Sequence, residues 1–336
     1  MLNHPLCRTV LLLALAAVSA GALAQKSAKG ESAAKPQAAW PTKPLRILVG
    51  FPGGSTPDLV ARTIAEPLSK ALGQPVIVEN RPGAGGNIAA DIVAKATDNH
   101  TIGVMINGNM TIAKLLNPAT PFDPLKDLAP ISLIGTAPLL LTAPANAPGR
   151  NAQEFFMAAR EAGNKWSYGT PGVGTVGHIG MELLKTRTRI DPVHVPYPGN
   201  PQVINAMIGG QIQLSLLPPG LAAAQIRAGK LKAIGVTSGG RSPLVPEFPS
   251  LDEGGVKGFQ LEIWTAAAGP ASMPKPIVTR LSSLISEIAR TPEVRQKLFQ
   301  QGWQVAGTSA EGLANRIKAD TALLGGVIAM RGIKAE

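Results

Sequence analysis

The sequence predicts an α/β protein of two lobes with a cleft between them, and three observations carry that expectation. Short apolar runs alternate with helical periodicities along two successive stretches of chain. Glycine-rich loops join the carboxyl end of a strand to the amino end of a helix once in each stretch. A third stretch, helical and amphipathic, follows the second series and can return to the first. With 336 residues the chain exceeds one ordinary core.

The first residues read as an export signal. Arg8 supplies a basic start, Val10 to Val18 is an unbroken apolar run too short to span a bilayer, and Ala22-Leu23-Ala24 offers a small-x-small cleavage pattern. Residues 1–24 are therefore expected to be removed. The single cysteine, Cys7, precedes the apolar run, so a lipid anchor is not expected, and neither disulfides nor thiolate metal sites remain downstream. Residues 25–39 are polar and alanine-rich, the composition of a disordered leader. No later apolar run is long enough to cross a membrane.

The charge balance is basic, 32 Lys and Arg against 21 Asp and Glu. The basic residues are scattered and aromatics make up only 4%. Nucleic-acid binding is therefore not expected, and the charge reads as solubility with some steering of anions.

From Trp40 the elements follow in order. Leu45 to Phe51 is a buried strand ending in Pro-Gly-Gly; Thr56 caps the next helix, with Pro57 in its first position and Asp58 at its positive end. Val60, Ile64, Leu68 and Leu72 recur at helical spacing, and Pro67 among them predicts a kink or break. Strands at 76–79 and 101–106 flank a helix at 87–96, which argues for a parallel sheet. After a Pro-rich stretch at 138–149 come helices at 151–163, 177–185, 201–209 and 219–228. Strands at 166–170, 193–197, 212–216 and 231–237 alternate with them. An extended run at 259–268 precedes helices begun by Pro276, by Thr291-Pro292, and by a capping box of Thr308 and Glu311. Lobe 1 is thus expected over 40–138 plus 258–336, and lobe 2 over 139–257.

Two loops are candidate anion cradles. In the first, Phe51, Gly53, Gly54, Ser55, Thr56 and Asp58 lie where backbone N–H groups and a helix dipole favour a negative group, with Asp58 capping the helix or holding the loop. In the second, Thr170, Gly172, Gly174, Thr175 and His178 lie in an equivalent turn. Gly172, Gly174 and Gly177 match G-x-G-x-x-G, but the acidic residue of a dinucleotide site is not in place, and His178 stands where a phosphate-binding loop has its lysine. No cofactor is expected. Nor is a catalytic residue or a metal site, because no nucleophile motif or close histidine pair is present. At a helix start His178 reads as a neutral hydrogen-bonder, and His194 as a core residue. An exported enzyme acting on small carboxylates stays open as a weaker alternative.

Taken in order, Trp40 to Arg46, Phe51-Pro-Gly-Gly with Asp58, Val78 to Asn87, Phe122 to Asp127, Gly172 to His178 and Val193 to Tyr197 resemble the tripartite tricarboxylate transporter substrate-binding family, the Bug-type periplasmic receptors. So do Gly209 to Gln211, Ala228 to Leu231, Thr237-Ser with Arg241 to Pro243, and Pro292 to Arg295. The resemblance implies a type II periplasmic-binding fold of two mostly parallel sheets flanked by helices. It implies a ligand carboxylate pinched between residues 51–58 and 169–178 through N–H groups, hydroxyls and ordered water. The expected partners are membrane components of such a transporter, or a sensor, and the chain is expected to act as a monomer.

Three positions depart from the family pattern. Tyr197 is followed by Pro198 rather than lysine, Gln213 stands where aspartate is common and no acid lies near Leu217, and Asn107-Gly108-Asn109 replaces a Ser/Thr-rich turn. These departures predict a carboxylate without an ammonium group, held partly by apolar contact and by the amides of Asn107 or Asn109.

Overall fold

A computed structural model describes residues 40–334; the expected signal and leader lie outside them. In chain order the elements are β1 (Leu45–Val49), α1 (Thr56–Leu72), β2 (Val76–Asn80), α2 (Asn87–Ala94), β3 (Thr101–Ile106), and the short helices α3 (Asn107–Thr111), α4 (Ala113–Leu116) and α5 (Pro124–Asp127). Then come β4 (Leu128–Pro138), β5 (Leu140–Pro144), α6 (Ala152–Ala162), β6 (Ser167–Thr170), α7 (Val176–Thr188), β7 (Val193–Pro196), α8 (Asn200–Ile208), β8 (Ser215–Leu217), α9 (Pro219–Arg227) and β9 (Leu231–Val236). The chain closes with β10 (Glu262–Pro270), α10 (Lys275–Arg290), α11 (Pro292–Gln300), β11 (Gln304–Val305) and α12 (Ala310–Arg331).

Two lobes result. The larger sheet has the order β11-β4-β10-β3-β1-β2, so the tail does return to the first series and inserts β10 at its centre. Pairing is parallel for β1 with β2 and β3, where strand and helix alternate, and antiparallel for β10 with β3 and β4. The second lobe is also mixed. β6 and β7 pair in parallel, β5 pairs antiparallel with β8 and β9, and the bridge Tyr168–Leu214 joins the two groups. Buried apolar side chains of each lobe form separate cores, Leu48, Val93, Met105 and Trp264 in one and Phe155, Tyr168, Leu184 and Leu214 in the other.

Several expectations need correction. Pro67 does not break α1, which runs on for 17 residues through it. Ser55, not Thr56, is the N-cap of α1, and Pro57 takes the second helical position. The last helix is capped by Ser309, whose side chain accepts from Gly312 N–H at 3.2 Å, one residue beyond the expected Thr308. β8 lies three residues later than the expected start at 212. The 11-residue β4 and the following β5 were not expected as strands, since Pro130, Pro138 and Pro144 punctuate them.

Candidate functional site

On the first lobe, β1 runs out at Val49 and the chain turns through Pro52-Gly53-Gly54 into α1. The turn is held from behind by Asp58. Its Oδ2 accepts from Gly54 N–H at 2.9 Å, and its Oδ1 accepts from Asn80 Nδ2 at 2.8 Å; Arg62 Nε also donates to it at 3.1 Å. Asn80 Nδ2 also donates to Phe51 O at 2.9 Å, so one buried carboxylate organises both ends of the loop. Burial alone would push Asp58 up, but the hydrogen bonds from Arg62, Asn80 and Gly54 hold it below the usual carboxylate range. Asp58 therefore holds the loop, with both carboxylate oxygens engaged within the first lobe. Gly53 and Gly54 are exposed. Ser55 is 1% exposed, makes no side-chain cap bond, and its Oγ is buried without a protein partner.

On the second lobe, β6 turns through Pro171 to Gly174 into α7. Thr175 is the N-cap; its Oγ1 accepts from His178 N–H at 3.4 Å and donates to Gly172 O at 2.8 Å. His178 Nδ1 accepts from Gly174 N–H at 3.4 Å, which requires a neutral ring nitrogen there. Its burial lowers its pKa, as expected for a neutral histidine at a helix start. The ring stacks on His194 at 4.4 Å, and His194 stacks on Tyr168 at 4.8 Å. His194 Nε2 lies 2.7 Å from Thr170 Oγ1. Both imidazoles support the loop from beneath.

The lobes meet where glycines leave no side chain in the way. Gly172, at φ 124°, would place a Cβ 2.9 Å from Gly85 Cα, and Gly85, at φ 61°, would place one 2.6 Å from Val173 O. Gly108 lies equally tight against Gly174 O. Asn200 Nδ2 reaches Thr56 Oγ1 at 3.5 Å, from the first residue of α8 to the first residue of α1.

Behind this contact lies a cavity of ≈ 40 Å³ open to water centres. Its wall includes Ser55, Thr56 and Pro57 of α1, Thr175 to Gly177 of α7, Asn200 of α8 and Pro218, the N-cap of α9. Four helix amino ends thus converge on one space. First-turn N–H groups lack intrahelical partners and carry the positive end of the dipole, so the arrangement attracts an anion without any basic side chain. The remaining wall is Phe51, Ile106, Leu139, Pro171, Leu216, Ile263 and Trp303. No ionisable side chain lines it. Of the residues in this wall, Asn200 and Trp303 as well as Ser55 carry a buried atom without a hydrogen-bond partner, Asn200 Oδ1 and Trp303 Nε1.

Of the residues singled out in the sequence, Phe51, Ser55, Thr56 and Thr175 line this cavity. Asn109, Gly172, Gly174 and Tyr197 line a second, wider space of ≈ 480 Å³ between the lobes, on the side of Gly83 to Asn87. The Asn109 amide does not meet the expectation of a ligand donor. Its Nδ2 is committed to Gly85 O at 2.9 Å and Asn87 Oδ1 at 2.8 Å, and so holds the loop before α2. Asn107 Nδ2 donates to Glu262 O at 3.2 Å, while its Oδ1 is buried without a partner. Thr170 and His178 act within their own lobe. Sequence reasoning passed over Asn200, although Gly199-Asn200-Pro201 after a strand is the same kind of helix start. It also passed over Trp303, for which no local signal exists: close approach of Gly302 to the backbone of Gly220 seats it against α9.

Two lobes, sheets of mixed strand direction and a cleft lined by helix amino ends define a solute receptor of the periplasmic-binding-protein fold. The chain belongs to the tripartite tricarboxylate transporter family of receptors, whose family model matches residues 60–333. It is 34% identical, over 84% of each chain, to a protein encoded between tcbD and tcbE in Pseudomonas sp. strain P51. Among solved structures it is similar to MatC of Rhodopseudomonas palustris with bound malate, at 31% identity and TM-score 0.82, covering 86% of this chain and 99% of that one. A second R. palustris protein, solved with adipate, matches at 29% identity and TM-score 0.84 over 88% of this chain and 99% of its own.

Proposed function

We propose that this protein is exported to the periplasm by its first 24 residues, captures a small carboxylate in the cleft, and presents it to the membrane components of a tripartite tricarboxylate transporter or to a sensor. The observation that carries this reading is the convergence of four helix amino ends, two of them with hydroxyl N-caps, on a cavity without an ionisable side chain. Malate and adipate in the similar structures support the ligand class. The lobes, 40–138 with 258–336 and 139–257, swing about crossings near Leu139, Thr237 and Leu261. Closure is favoured because a carboxylate bridges Ser55 and Thr56 of one lobe to Thr175 and Asn200 of the other only when they meet. An ammonium group on the ligand finds no counter-charge in this wall.

A thermal-shift screen of small carboxylic acids, with amines and sugars as controls, tests the class, since a ligand of the folded state raises the melting temperature. In calorimetry with the best acid, Ser55→Ala and Thr175→Ala each weaken binding by about 1–3 kcal/mol. Unchanged affinity in both variants would mean that the pinching groups lie elsewhere.

A further inference from the structure

The cavity wall says more than that an anion binds there. All its anion-attracting groups are on the four helix ends, and the rest is hydrocarbon and aromatic: Ile106, Leu139, Leu216, Ile263 and Trp303. A second carboxylate pressed against that wall would lose its hydration with no charged partner, a cost of several kcal/mol. Trp303, in this part of the wall, carries one uncharged donor, Nε1, which is buried and has no hydrogen-bond partner. It suits one neutral oxygen.

Size points the same way. At roughly 10–15 Å³ for each water centre, ≈ 40 Å³ holds about three waters. Three waters occupy about 90 Å³ of liquid, the space of roughly five or six non-hydrogen atoms. With the lobes as they stand, that space matches a three- or four-carbon monocarboxylate more closely than the larger malate or adipate, each of which carries a second carboxylate.

We infer that the site takes a compact monocarboxylate, its carboxylate at the helix ends of α1, α7, α8 and α9 and its short tail against Leu139, Leu216, Ile263 and the Trp303 indole. This rests on the receptor reading above and narrows it. A tail oxygen, as in a 2-hydroxy or 2-oxo acid, accepts from Trp303 Nε1–H.

Titration calorimetry of the purified protein with propanoate, lactate and pyruvate against malate and adipate decides it. At least one three-carbon acid is expected to bind tenfold or more tighter than either dicarboxylate. Malate or adipate binding as tightly or more tightly would overturn the inference while leaving a carboxylate receptor standing. No binding of any acid, short or long, would overturn both.

Two variants locate the tail. Ile263→Ala, at a half-buried position, enlarges the wall and is expected to shift preference from propanoate toward hexanoate at least tenfold. No shift would remove the tail from this cavity. Trp303→Phe keeps the ring and deletes the donor, so lactate is expected to weaken five- to tenfold while propanoate is unchanged; equal loss of both would remove the hydrogen bond from the assignment.

Discussion

The His178 ring is 6% exposed, lies 4.4 Å from the His194 ring and accepts from Gly174 N–H, so its protonation state bears directly on the loop that forms half of the cleft. Burial lowers its pKa; the nearby Glu182 opposes this and Lys185 adds to it. The neutral form is thus favoured by folding. The stability tied to it is complete above the ordinary histidine value near 6.5 and is lost as pH falls through that value toward the lower folded one. Melting curves between pH 8 and pH 5 should therefore show a larger fall for the natural chain than for His178→Gln. An equal fall in both would assign the acid sensitivity to other groups. At the same scale, Ser55 rather than Thr56 takes the N-cap position of α1 although its hydroxyl makes no capping bond, and proline suits either early helical position. Local chemistry does not choose between neighbours; the packing of the loop over Asp58 and Asn80 does.

Pro67 sits inside α1 without ending it. The ring removes one backbone hydrogen bond and crowds the preceding turn. Burial of Val60, Ile64, Leu68 and Leu72 along one face outweighs that local cost. Pro67→Ala restores the bond at the expense of a more flexible unfolded chain. It is expected to raise stability by about 1–2 kcal/mol, read as a shift in a urea melt. At the second pinching loop the expectation is reversed. Gly172 needs both φ 124° and the absence of a Cβ facing Gly85. Gly172→Ala should oppose closure and weaken ligand binding by tenfold or more, an outcome that strain of about 1–2 kcal/mol in the backbone already supports. Calorimetry with the best acid of the panel checks it.

At the scale of the whole molecule, Thr237 ties the crossings between the lobes. Its Oγ1 accepts from Leu139 N–H at 2.8 Å and donates to Leu261 O at 2.6 Å; its own N–H and C=O bond Leu139 O and Leu261 N at 2.8 and 2.9 Å. One residue therefore links three strands of chain where they pass from one lobe to the other. Thr237→Val keeps the shape and leaves two backbone groups without their partner, costing about 1–3 kcal/mol of stability. A melting temperature equal to that of the natural chain would show that water replaces the hydroxyl at no cost.

The alternation of strands and helices and the two glycine-rich strand-to-helix loops were legible in the chain itself, because each rests on periodicity or turn chemistry within a few residues. Phe51, Ser55, Thr56 and Thr175 were legible for the same reason: a helix start announces itself locally. Gln213, where the family commonly has aspartate, carried the expectation of a ligand without an ammonium group. Only the tertiary structure decided that Asn200 and Trp303 complete the cavity, that the Asn109 amide is spent on Gly85 and Asn87, and that β10 enters the middle of the first sheet between β3 and β4. Those facts depend on contacts between residues far apart in the chain, such as Gly220 with Gly302 and Gly85 with Gly172. No pattern along the sequence encodes which distant backbone will come within van der Waals distance.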